Sequence, residues 1–210
     1  IAHADVELIR QLPTDITERP TELNLYVAAL ERLRTLPIAT IGKVAGIARG
    51  GGAEFLWSLD MRFAAIGRTI LSQPEVAIGI LPSGSGSTRL PHLVGRARAL
   101  EISLACEDFT AELAQTYGLI NRAVRADELD DFVVKLATRI ASFPKPAIQS
   151  AKLAVDVSLK DPTNALLEEA HQFNLLRGTS DAQKRMAAFM SLGGQTREGE
   201  LDLNKVIKGL

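Results

Sequence analysis

Apolar residues recur at helical spacing over residues 22–36, where Leu23, Val27, Leu30 and Leu33 share one face, and Pro37 ends the pattern. Residues 38–45 (IATIGKVA) form a short β-rich apolar run that predicts a buried strand. In GIARGGGAEFLWSLD, three glycines follow and give way to helix formers, so a tight loop and a helix starting near Gly51 are expected. Residues 61–66 predict another strand, and residues 69–82 an irregular stretch with one further short strand. Two helices follow over residues 84–93 and 96–104, broken around Gly95. Thr110 can cap a helix over residues 111–117, with Gly118 at its end, before a strand over residues 119–125. The remaining pattern is helical over residues 128–142, 146–158, 163–177 and 181–191, punctuated by Pro144, Pro162 and Gly178. Mixed strands and helices followed by helices alone predict an α/β sheet core with a helical C-terminal region.

Composition narrows the function classes. The 210 residues suffice for one sizeable core, and the 46% hydrophobic fraction suits a soluble globular protein. Apolar runs are strand-sized and cut by Gly, Arg or Asp, so no membrane span is expected. A formal net charge of −1 argues against bulk nucleic-acid binding, though not against a small anionic ligand. The single cysteine, Cys106, excludes an internal disulfide and suits a reducing cytoplasm. His3, His92 and His171 are far apart and are expected in surface or capping roles rather than on a metal.

The candidate chemistry sits in the middle of the chain. Gly50, Gly51 and Gly52 let a ligand approach the backbone where a helix begins, and its first N–H groups can meet a developing oxyanion. The plainer alternative is a glycine-rich strand-to-helix turn. The run lacks both the dinucleotide fingerprint and the Gly-Lys-Ser/Thr of a phosphate loop. Glu54, in the first turn of that helix, could simply complement the helix dipole. Glu75 follows Pro74 among apolar residues, where a carboxyl tends to hold its proton and can serve acid–base chemistry; the alternative is an exposed loop glutamate.

Taken together, these pieces resemble the enoyl-CoA hydratase/isomerase (crotonase) family. The matching elements are an opening AHADV, GGG-x-E, Asp60 six residues later, QPE, a Pro-then-glycine loop, Arg89-Leu90 with Gly95, and FTAELAQTYGLINRAV. The resemblance runs to about Phe189 and implies a spiral of ββα units. It implies that the backbone N–H groups of Ala4 and Gly51 form an oxyanion hole, and that Glu54 and Glu75 are the catalytic pair. It also places Ala2, Asp5, Gly50 and Ser83 at the substrate. The implied reaction adds water to a 2-enoyl-CoA thioester, with coenzyme A as part of the substrate and no metal or other cofactor. Double-bond isomerisation, another reaction of the family, or a non-catalytic CoA-binding role are the alternatives. Members that only isomerise often keep just the second glutamate, so the presence of both favours hydration.

The resemblance further implies a core over residues 1–142 and a helical oligomerisation region over 143–210, assembling a trimer or a dimer of trimers, in the cytoplasm. The sequence opens on Ile1 inside the AHADV motif, so preceding residues are expected and the core is read as N-terminally incomplete. The run Ser83-Gly84-Ser85-Gly86-Ser87 replaces a more glycine-rich family loop, and its hydroxyls are expected near Glu75 or the substrate. Lys184 and Arg185 are candidates for coenzyme A phosphate contacts, with a solvated helix face as the alternative.

Overall fold

The computed structural model describes residues 21–159 and 179–193, together with residues 5, 9, 11, 175, 196–198, 205, 206 and 209. The chain divides into two compact units, Ile1–Ser142 and Phe143–Leu210.

In the first unit, α1 (Leu25–Arg34) starts where the Asn24 side chain accepts the Val27 N–H, at 2.9 Å. The cap explains why the helix is shorter than the apolar pattern suggests. The apolar run over residues 38–45 holds one strand, and a second follows it in the segment expected as a tight loop. β1 (Ile41–Val44) and β2 (Ile47–Arg49) are separated by Ala45-Gly46 and enter different sheets. α2 (Gly51–Trp57) follows directly.

The next stretch repeats this arrangement. β3 (Met61–Ala65) pairs in parallel with β1, placing Lys43 beside Phe63, and β4 (Ile70–Ser72) pairs in parallel with β2, placing Arg49 beside Ser72. A 3-10 turn (Glu75–Ile78) leads to α3 (Gly86–Ala105), which breaks at Gly95 with φ 77° and ψ 164°. The short β5 (Phe109–Thr110) runs antiparallel to β4. Then come α4 (Ala111–Tyr117), β6 (Arg122–Val124) beside β3, and α5 (Leu129–Ala141). The two sheets have the orders β1-β3-β6 and β2-β4-β5. Each ββα stretch therefore contributes one strand to each sheet.

The main core gathers Val44, Ala53, Leu56, Trp57, Leu71, Leu90, Ile102 and Phe109, and a smaller cluster joins Phe63, Ala65 and Leu129. Two polar devices fix the register. Asp60 accepts the Thr40 N–H at 2.7 Å and its hydroxyl at 3.0 Å, while the Thr40 hydroxyl oxygen accepts the Asp60 N–H, joining the starts of β1 and β3. Arg62, only 6% exposed, donates to the carbonyls of Leu119 at 2.8 Å and Leu59 at 2.7 Å. Burial lowers its pKa to about 10, which still leaves it charged at neutral pH.

The second unit holds α6 (Lys145–Ser158) and α7 (Ser180–Ser191), the latter capped by the Thr179 side chain on the Ala182 N–H. The helix expected over residues 163–177 lies outside the described residues, Leu175 excepted.

Candidate active site

The glycine run solves a local problem of direction. Gly50 leaves β2 with φ 48° and ψ −126°, a backbone that side-chain-bearing residues rarely adopt, and it becomes the N-cap of α2. Its N–H donates to the Ser72 carbonyl at 3.0 Å, and its own carbonyl accepts the Gln73 amide N–H at 3.2 Å. The start of α2 is thus fastened to the end of β4. Gly51 is the first residue of α2, where an N–H needs no partner within the helix.

Glu54 lies one turn into α2 and is 3% exposed. Its Oε1 accepts the Gly86 N–H at 2.8 Å, at the start of α3. Burial pushes the carboxyl above its ordinary range, against the pull of the Gly86 and Gly84 backbone donors. Those two glycines make the approach possible. A Cβ on residue 84 would collide with Glu54 Oε2 and lie 2.9 Å from its Cδ; one on residue 86 would lie 2.9 Å from Glu54 Oε1 and 2.7 Å from the Pro82 ring.

Glu75 opens the 3-10 turn and is half-buried. Burial raises its pKa, its own backbone N–H lowers it, and the charge of Glu54 raises it again. The two carboxyls are therefore electrostatic neighbours although they lie on different elements. Among the described residues, Glu75 Oε2 is buried with no hydrogen-bond partner.

The structure brings Gly50, Gly51, Glu54 and Glu75 together. Ser83 is exposed in the loop before α3, and Asp5 is exposed. Ala2 and Ala4 lie outside the described residues. In the serine-rich loop the backbone at Gly84 and Gly86 meets Glu54, and the Ser85 hydroxyl accepts from Arg89 Nε at 2.9 Å. Arg185 pairs with Asp181 at 3.4 Å on the same helix. Among the described residues no cluster of metal-ligating side chains occurs, His92 is exposed, and no helix is long and apolar enough to cross a membrane. An open hollow of about 240 Å3 is lined by Lys43, Gly46, Ile47, Gly52 and Phe55 among others, but neither carboxyl borders it.

Two contacts of the site are tertiary. Gln73 is fully buried beside the glycine run, and Tyr26 reaches across from α1 to donate its hydroxyl to the Gly51 carbonyl. Gln73 belongs to the QPE element, but its bond to Gly50 and the reach of Tyr26 have no local pattern that would announce them.

Residues 14–193 match the model of the enoyl-CoA hydratase/isomerase family. The chain belongs to this family. Within the enoyl-CoA hydratase/isomerase family, the chain is 33% identical over 191 residues to a crotonyl-CoA hydratase of Syntrophomonas wolfei, covering 90% of this chain and 72% of that protein. It is 31% identical to a short-chain-enoyl-CoA hydratase of Clostridium acetobutylicum, with the same two coverages of 90% and 72%. The crystal structure of an enoyl-CoA hydratase from Bacillus anthracis superposes with a TM-score of 0.76 at 30% identity, covering 79% of this chain and 64% of that one. The crotonase-type spiral expected from the sequence is the fold these relatives share.

Proposed function

We propose that this protein adds water across the double bond of a 2-enoyl-CoA thioester. The observation that carries the reading is the contrast between two coupled carboxyls. Glu54 accepts backbone N–H donors, which favour its charged form, whereas Glu75 has an unpartnered oxygen and feels the charge of Glu54. Burial raises the pKa of both carboxyls, and we assign the proton-donor role to Glu75 on its unpartnered oxygen. In this assignment Glu54 takes a proton from water as its oxygen bonds to Cβ. The π electrons move onto the thioester oxygen, and Glu75 delivers a proton to Cα. Solvent then returns Glu54 and Glu75 to their starting protonation states. The enolate oxygen would be met by the N–H groups of Gly51 and Ala4, each such donor being worth about 3 kcal/mol. Asp5, Ala2, Gly50 and Ser83 would border the thioester, and coenzyme A enters as part of the substrate.

The names of the relatives support this chemistry, as does the presence of both glutamates. An isomerase needs Glu75 more than Glu54. We also assign the helical region over residues 143–210 to assembly of a trimer or dimer of trimers, because α6 and α7 carry exposed Val155 and Met190; a monomer in light scattering would refute this.

Incubation with crotonyl-CoA, followed by loss of the conjugated thioester absorbance, tests the reaction. Glu54→Gln and Glu75→Gln should each lower hydration at least ~100-fold, the low end of acid–base catalysis. If Glu75→Gln is severe and Glu54→Gln mild on a 3-enoyl thioester, the protein is an isomerase. Near-normal rates for both variants would leave only a binding protein.

A further inference from the structure

Tyr26 touches this site from another element. It lies on α1, well before the glycine run in sequence, yet its hydroxyl donates to the Gly51 carbonyl. Its ring edge also meets the site. The point that a Cβ of residue 84 would occupy is 2.7 Å from Tyr26 Cε1 and in collision with Glu54 Oε2. Ring and carboxyl thus flank the same small space, which only glycine leaves open. Tyr26 is 43% exposed and Glu54 is 3% exposed, so the two groups that flank this space differ sharply in their access to solvent.

We propose that Tyr26 is a positioning residue for Glu54: its hydroxyl holds the first turn of α2 through the Gly51 carbonyl, and its ring closes the solvent side of the carboxyl against Gly84. The proposal rests on the hydratase reading. In that reading Glu54 must hold a water at a fixed angle to Cβ, and a loose first turn would blur that angle. The phenol stays a neutral donor throughout the working range, because burial and the charge of Glu54 push its pKa up to about 12. The groups that surround Glu54 are Tyr26 from α1, Glu75 from the 3-10 turn and the backbone N–H groups of Gly84 and Gly86. Arg89 of α3 pairs with Glu31 of α1.

Two substitutions separate the hydroxyl from the ring. Tyr26→Phe keeps the ring and should lower kcat roughly 5-fold, the rate equivalent of one net hydrogen bond. KM should change less than ~2-fold, and the pH profile should stay in place. Tyr26→Ala admits water to Glu54. Burial is the main cause of its raised pKa, so exposure lowers that pKa. Activity requires the carboxylate, so the acid limb of the kcat profile should move to lower pH. A residue that merely anchors α1 would cost stability but leave that limb where it was.

A readout free of activity covers the same geometry. The chain has two tyrosines, so in a Tyr117→Phe background fluorotyrosine labels position 26 alone. By fluorine NMR its phenol should titrate above free fluorotyrosine and fall toward it when Glu54→Gln is added. A phenol that titrates like the free amino acid and ignores Glu54→Gln overturns the proposal, as does an unmoved acid limb in Tyr26→Ala. If the unsubstituted chain hydrates nothing while the fluorine titration still responds to Glu54→Gln, the hydratase reading fails and the Tyr26–Glu54 arrangement stands.

Discussion

Substituting Gly84 by alanine adds one methyl group at the tightest point of the site. The new carbon would overlap Glu54 Oε2 and lie 2.7 Å from Tyr26 Cε1 and 2.9 Å from Glu54 Cδ. Carbon atoms without a bond between them settle at about 3.5–4.0 Å. Something must therefore move by roughly 1 Å, a displacement that can cost on the order of 100-fold in rate. Overpacking also costs about 1–3 kcal/mol in stability, less than unfolds a typical domain. The expected outcome is a folded Gly84→Ala protein with crotonyl-CoA hydration down ~100-fold. Gly46→Ala is the control, since a Cβ there meets nothing within 4 Å. The assay is initial rate on crotonyl-CoA, with circular dichroism and a thermal melt to confirm folding. A Gly84→Ala enzyme within ~3-fold of the unsubstituted rate would refute the claim that this glycine sets the place of Glu54.

Glu75→Gln should raise the melting temperature at pH 7. Its folded-state pKa is raised, so the folded protein loses stability as pH climbs from the ordinary glutamate value toward the raised one. The gain should vanish below about pH 4.3, and a lower melting temperature for the variant at pH 7 would contradict the assignment. Arg62→Leu should cost about 3 kcal/mol by urea denaturation, because it strands the buried carbonyls of Leu119 and Leu59. A loss under about 1 kcal/mol would show that these carbonyls find other donors.

Much of the fold could be read from periodicity and punctuation. Thr110 and Gly118 bound α4 as their chemistry dictates, and the break of α3 falls at Gly95, where the backbone takes a positive φ. The strand switch at Ala45-Gly46 was hidden, because β2 has only three residues and runs straight into the glycines. β5 has two residues and carries no period at all. In the site, Glu54 and Glu75 were singled out by residue type and by family motif, but their electrostatic coupling is tertiary. The contact of Gly84 with Glu54 and the reach of Tyr26 to Gly51 join positions far apart in sequence, and no helical or strand period links them. The serine hydroxyls attracted notice, whereas the intervening glycines make the contact that matters.

The fastening of Gly50 to Ser72 and Gln73 has a consequence for how this gene can change length. Pairing of Arg49 with Ser72 places the starts of two active-site segments side by side, so the separation of Glu54 and Glu75 is counted in residues from one ladder rung. An added residue in the turn at 66–68 or in the loop at 79–81 lies outside that count and can be absorbed at the surface. An added residue between Ser72 and Glu75, or between Arg49 and Glu54, turns a carboxyl to a different bearing while every strand still pairs. Insertions there should leave the strands paired while putting the two carboxyls out of step.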